Sequence, residues 1–140
     1  MNATPTPTVP AEVADDLADP RLWFGPSGTQ VTGEAVANHI KAAARLMQLK
    51  NWDPQLYAPF SGHHLRDALI STEQDGLGDY DTRHVATSVL ETLLRRTTGA
   101  PYVDYEVWSE HATRTLNEIV RLCQAAASVA GEHGPRPATA

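Results

Sequence analysis

Between Asp81 and Gly99 the chain writes two adjacent apolar rows, Val85–Val89–Leu93 and Ala86–Leu90–Leu94, and then breaks at Gly99 and Pro101. Two rows with this spacing fit an α-helix, because a strand would send alternate residues to opposite faces. The pattern predicts a helix from an Asp81 or Thr82 cap to about Thr97. Arg95 and Arg96 suit its negative end, and Gly99 suits the left-handed position just beyond it. Such a helix carries an apolar stripe that must be buried against other elements.

Other segments repeat the pattern. Thr32 is a candidate N-cap for a helix that places Val36, Ile40, Ala43, Ala44 and Met47 on one side, with a stop at Asn51-Trp52-Asp53-Pro54. Ser61 can cap a shorter helix to about Thr72, burying Leu65, Ala68 and Leu69. Leu56 to Phe60 reads as a brief strand or an irregular crossing. A last helix from about His111 to Ala130 places Leu116, Ile119, Val120, Cys123, Ala127 and Ala130 on one face, and Gly131 ends it. Ala11 to Ala18 forms a short helix around Val13 and Leu17, stopped by Asp19-Pro20. The expected fold is all-α: a small orthogonal bundle of about four helices. Residues 1–20 are expected to be a flexible acidic arm, 21–131 the helical domain, and 132–140 a disordered tail.

Charge and cysteine content narrow the functional classes. The net charge is −6, but Glu12, Asp15, Asp16 and Asp19 place much of it in the arm. The region 21–130 holds 10 basic and 12 acidic side chains. With no basic stripe there is little to hold phosphates, which argues against autonomous nucleic-acid binding and against a DNA-associated regulator. The single cysteine, Cys123, excludes an internal disulfide and a cysteine-based zinc module. The start MNATPTPTVP lacks the basic and apolar regions of a secretory signal, and no apolar run reaches the ~18 residues of a membrane span. The expected compartment is the cytoplasm, with no membrane partner.

Three segments carry a resemblance: Leu46 to Trp52 (LMQLKNW), Gly62 to Leu69 (GHHLRDAL) and Trp108 to Ile119 (WSEHATRTLNEI). Together they resemble an uncharacterised family of small helical proteins common in actinobacteria and their phages. Its members show a late Trp-Asn-Asp motif and then an Arg-Thr pair that opens the final helix. Here Ser109-Glu110 stands in place of Asn-Asp, and His63-His64 falls where an apolar residue or cysteine is usual. The resemblance implies a helical fold over about Val36 to Ala127. It implies no activity and no catalytic residues.

The candidate binding residues are Trp23, Phe24, Tyr102, Tyr105, Trp108 and Arg114. Leu22, Trp23 and Phe24 form a compact apolar cluster that reads as a plug or a docking motif. Trp108 can seat under the start of the last helix with its N–H on a loop carbonyl, Ser109 or Thr113 can cap that helix, and Arg114 can reach Glu110 or Glu118. His63, His64 and His84 are the candidate metal ligands, although no spaced pair such as HExxH supplies two from one helical turn. Glu110, His111 and Arg114 resemble an acid–base set, and Asp75, Asp79 and Asp81 a calcium loop without its regular alternation. Cys123 sits on an apolar face and reads as a buried thiol. No cofactor is expected. The leading expectation is a non-enzymatic protein-interaction or regulatory module that self-associates or docks a protein partner. The alternatives are a small-molecule-binding or metal-assisted enzyme with its site near His63, His84 and Tyr102 to Trp108, and, against the charge argument, a DNA-associated regulator built on a short-helix-plus-helix arrangement.

Overall fold

The computed structural model describes residues 9–49, 65–111 and 113–137. The fold is all-α. In chain order it comprises α1 (Glu12–Leu17), a 3-10 turn (Pro20–Trp23), α2 (Gly33–Leu49), α3 (Leu65–Gln74), α4 (Tyr80–Thr98), α5 (Tyr105–Glu110) and α6 (Leu116–His133). Among the described residues there is no strand, only an isolated bridge between Phe24 and Gln30.

The center of the bundle is the packing of α2 on α6, with α3 and α4 closing the other sides of α2. Val36, Ile40, Ala43 and Met47 recur at three or four residues along α2 and are fully buried. Their counterparts on α6 are Ile119, Cys123, Ala126 and Ala130. Alanines on both helices keep the facing surfaces low, which favours close packing of the axes. Burial of each large aliphatic side chain contributes about 1.5–3 kcal/mol, so these stripes rather than helix propensity hold the fold.

Local chemistry sets the helix ends. Thr32 caps α2 as the sequence suggests, its hydroxyl accepting from Ala35 N–H at 3.0 Å. The cap of α4 is Asp79, two residues ahead of the expected Asp81: its carboxylate accepts from the N–H and the hydroxyl of Thr82, both at 2.8 Å. Gly99 ends α4 at φ 77°, with its N–H returned to the Arg95 carbonyl at 2.9 Å. The last helix begins at Leu116 rather than near His111, because Thr115 and Glu118 form a reciprocal capping box. A separate short helix, α5, precedes it, capped by Asp104 and ending just before His111.

The flanking segments are more structured than the sequence suggests. In α1, Val13 and Leu17 are buried, and the helix packs on α4 and α6, so the chain from Glu12 onward belongs to the body rather than to a flexible arm. The exposed side of α1 pairs Asp16 with Arg96, which donates from Nε at 2.7 Å and from Nη2 at 2.9 Å. At the other end α6 continues past Gly131 to His133, and the chain beyond it lies on α2. The cap at Ser61, the Leu56 to Phe60 segment and the Asn51 to Pro54 stop lie outside the described residues.

Candidate functional site

The best-defined surface feature grows from the junction of α5 and α6. Asp104 starts α5 by accepting from Glu106 N–H at 2.8 Å, and Glu91 of α4 fixes the same turn by accepting from Tyr105 N–H at 3.1 Å. These bonds place Trp108 at the end of a short helix held against α4. Arg114 then folds back over it. Its guanidinium lies 3.8 Å from the Trp108 ring centroid, its Nε donates to the Trp108 carbonyl at 2.9 Å, and its Nη1 donates to Glu118 at 3.1 Å. The Glu118 carboxyl is held below its usual range, first by the Thr115 N–H and also by Arg114 and the Thr115 hydroxyl. The carbonyl of Trp108 is therefore the anchor for Arg114, and of the two expected partners Arg114 takes Glu118.

With Arg114 on one side of the ring, Trp108 helps wall an open groove of about 300 Å³ between α4 and α6. Leu93 and Leu94 line it from α4, Leu122 and Ala125 from α6, and Val9 enters it from the chain ahead of α1. Thr97, Thr98, Glu118 and Arg121 supply its polar edge. The volume lies at the lower end of the roughly 300–1,000 Å³ typical of ligand pockets. The surface is chemically suited to apolar contact, with polar groups at the margin to set orientation.

The other candidate residues are dispersed. Trp23 is buried and donates from Nε1 to the Leu17 carbonyl at 2.8 Å, so it ties the 3-10 turn to α1. Phe24 is 43% exposed in the loop beyond it, and Tyr102 is 72% exposed ahead of α5. Tyr105 is buried, and that burial raises its pKa. His84 is exposed on α4, while His63 and His64 lie outside the described residues. Among the described residues no group of three or more His, Cys, Asp or Glu side chains is placed to hold a metal. In the acid–base candidate, Arg114 is turned toward Trp108 and Glu118, and His111 shares a 2.9 Å hydrogen bond with the Thr113 hydroxyl. The acidic turn is committed to structure: Asp79 caps α4, and Asp81 accepts from the N–H of Ser27 at 3.1 Å and from its hydroxyl at 2.5 Å. Cys123 is fully buried, which pushes its thiol up to about 12.

Two features of the structure, one in the groove and one away from it, have little signature in sequence. Val9 is a lone apolar residue between Thr8 and Pro10, and only its three-dimensional position gives it meaning. His39 lies on the buried side of α2, with Nδ1 2.8 Å from the Leu77 carbonyl and Nε2 buried without a hydrogen-bond partner among the described residues. A carbonyl can only accept, so Nδ1 carries the proton and Nε2 the lone pair. Burial lowers the pKa of His39, while the Leu77 carbonyl acts in the opposite direction.

No curated protein and no solved structure matches the chain. A family profile matches residues 31–129, a stretch that begins just before α2 and includes the groove walls on α4, α5 and α6 but excludes Val9. Because this match spans most of the sequence, the chain belongs to DUF6197, a family of unknown function.

Proposed function

We propose that this protein is a non-enzymatic interaction module of the cytoplasm that binds extended protein segments, including those of a second copy, in the groove between α4 and α6. The observation that carries the reading is the groove itself: Leu93, Leu94, Trp108, Leu122 and Ala125 form an apolar floor and wall, while Glu118 and Arg121 stand at its edge. An apolar center with a polar margin is the usual anatomy of a protein contact. The aromatic wall supplies the large, well-ordered contact area typical of the residues that dominate such interfaces.

The test is sedimentation equilibrium of the full chain over a wide concentration range, beside Thr97→Arg. Thr97 lines the groove but is exposed, so an arginine there obstructs the surface without entering the core. The expected result is reversible self-association in the parent protein that weakens at least tenfold in Thr97→Arg, with unchanged helical circular dichroism. Identical behavior of the two proteins, or monomers at every concentration, sinks self-association through this surface.

A further inference from the structure

We propose that the polar cleft between α2, α6 and the chain beyond α6 binds a small organic oxyanion, a carboxylate or phosphate that also carries a hydroxyl or ammonium group. The cleft encloses about 280 Å³. Glu34, Asn38 and Lys41 line it from α2, at the i, i+4 and i+7 positions that share one helix face. Ala127, Ser128 and Gly131 line it from α6, and Pro135, Arg136 and Pro137 close its third side. Ala37 and Ala127 are buried and form a low floor, which leaves room between the polar groups of the rim.

The third side is held in place by the backbone. The Pro135 carbonyl accepts from Gly33 N–H at 2.9 Å, and Gly134 N–H donates to the Ala130 carbonyl at 2.9 Å. Pro135 and Pro137 fix φ on either side of Arg136, and a residue ahead of proline is held extended. Arg136 is therefore presented from a fixed backbone at the end where α2 begins. Lys41 follows Glu34 by about 10 Å along α2, so the two cations are anchored at opposite ends of the cleft. Among the described residues Glu34, Lys41 and Arg136 take part in no ion pair. The cleft thus gathers two cations and one carboxylate in a protein whose net charge is −6. The Lys41 ammonium, the Arg136 guanidinium, the Asn38 amide N–H and the Ser128 hydroxyl are all donors, and charge-assisted bonds to an oxyanion are the strong kind. Glu34 as a carboxylate can only accept, so it selects a hydroxyl or ammonium on the same molecule. At ~30 Å³ per water the cleft holds about nine waters, so its occupant has on the order of ten non-hydrogen atoms. Amino acids, hydroxy acids and short sugar phosphates fit that size, and nucleotides exceed it. The proposal does not rest on the α4–α6 groove being a protein contact.

The experiment is a nuclear magnetic resonance titration of the full-length, amide-labelled protein with L-glutamate, glycerol 3-phosphate and inorganic phosphate. The pH and ionic strength are held fixed, with chloride as the balancing anion. The expected result is saturable shifts at the Asn38, Lys41, Ser128 and Arg136 amides, with a Kd below about 1 mM for L-glutamate or glycerol 3-phosphate. Whichever of those two binds more tightly identifies the oxyanion as carboxylate or phosphate. Affinity is expected to fall by about tenfold or more in Lys41→Gln and in Arg136→Gln, the weight of one charge-assisted hydrogen bond. Both side chains are exposed, so the fold is retained, and unchanged circular dichroism checks this. Inorganic phosphate bound as tightly as the organic probes shows an adventitious ion only and overturns the proposal. So do shifts that never saturate with any of the three probes, and equal affinity in the parent and both variants.

Discussion

Gly33 donates its backbone N–H to the carbonyl of Pro135 at 2.9 Å, so the first turn of α2 is closed by the chain that leaves α6. The contact needs two glycines. A Cβ on Gly134 would collide with the Gly33 backbone, the Ala130 carbonyl and the Trp23 ring, whereas one on Gly131 would meet only the Ala37 Cβ at 3.9 Å. Gly134→Ala is therefore expected to destabilise by about 1–3 kcal/mol through overpacking. Gly131→Ala, inside α6, is expected to stabilise by about 0.5–1 kcal/mol, since alanine loses less backbone freedom in a helix. Urea unfolding of both variants checks this; a shift of the same sign in both would remove the steric account.

The α2 and α4 stripes were legible because their apolar rows are long and their caps stand close to them, as Thr32 and Gly99 show. Short-range chemistry with several equivalent solutions was not. Asp79, Asp81 and Thr82 are all plausible caps by residue type, and the choice follows from the Ser27 loop, 54 residues away, which engages Asp81. The Thr115–Glu118 capping box was present in sequence, yet the expected start near His111 passes over α5. The groove could not be read, because Val9, Leu93, Trp108 and Leu122 lie on four separate segments that meet only after folding.

Thr115 and Thr113 make a direct comparison at the start of α6. The Thr115 hydroxyl accepts from Glu118 N–H at 3.2 Å, while Thr113 is bonded to His111 and caps no helix. Thr115→Ala is expected to cost about 0.5–2 kcal/mol, the range for loss of an N-cap. Thr113→Ala should stay within about 0.5 kcal/mol of the parent, as exposed substitutions usually do. Thermal unfolding followed at 222 nm distinguishes them, and a larger loss from Thr113→Ala would place the cap wrongly.

Cys123 should be chemically silent in the native protein. Its side chain is fully buried, and burial pushes the thiol up to about 12, so almost no thiolate forms near neutral pH. Thiolate is the reactive species toward disulfide reagents. At pH 8, Ellman's reagent is expected to react only as the protein unfolds, with the rate rising sharply in denaturant. Rapid stoichiometric labelling in buffer, with the circular dichroism unchanged, would show that α6 opens locally around the cysteine.

His39 gives the fold a specific pH dependence. Its Nδ1–H is committed to the Leu77 carbonyl, and a proton on Nε2 would create a buried donor with no partner among the described residues. Burial lowers its folded-state pKa against the ordinary 6.5, with Arg83 acting in the same direction and Glu73 and Asp79 opposing it. The unfolded chain therefore binds a proton on this ring that the folded chain resists. The contribution is intact above pH ~6.5 and is lost as pH falls below that value, with a slope of at most about 1.4 kcal/mol per pH unit. The check is the unfolding free energy between pH 8 and 5 for the parent and for His39→Leu. The variant loses the bond to Leu77 and is expected to be less stable at pH 8, but its curve should fall less steeply below pH 6.5. Because every other side chain is common to the two proteins, the difference between the curves isolates His39. Parallel curves across that range would mean that the ring becomes charged without cost, and that the turn carrying Leu77 yields to admit water.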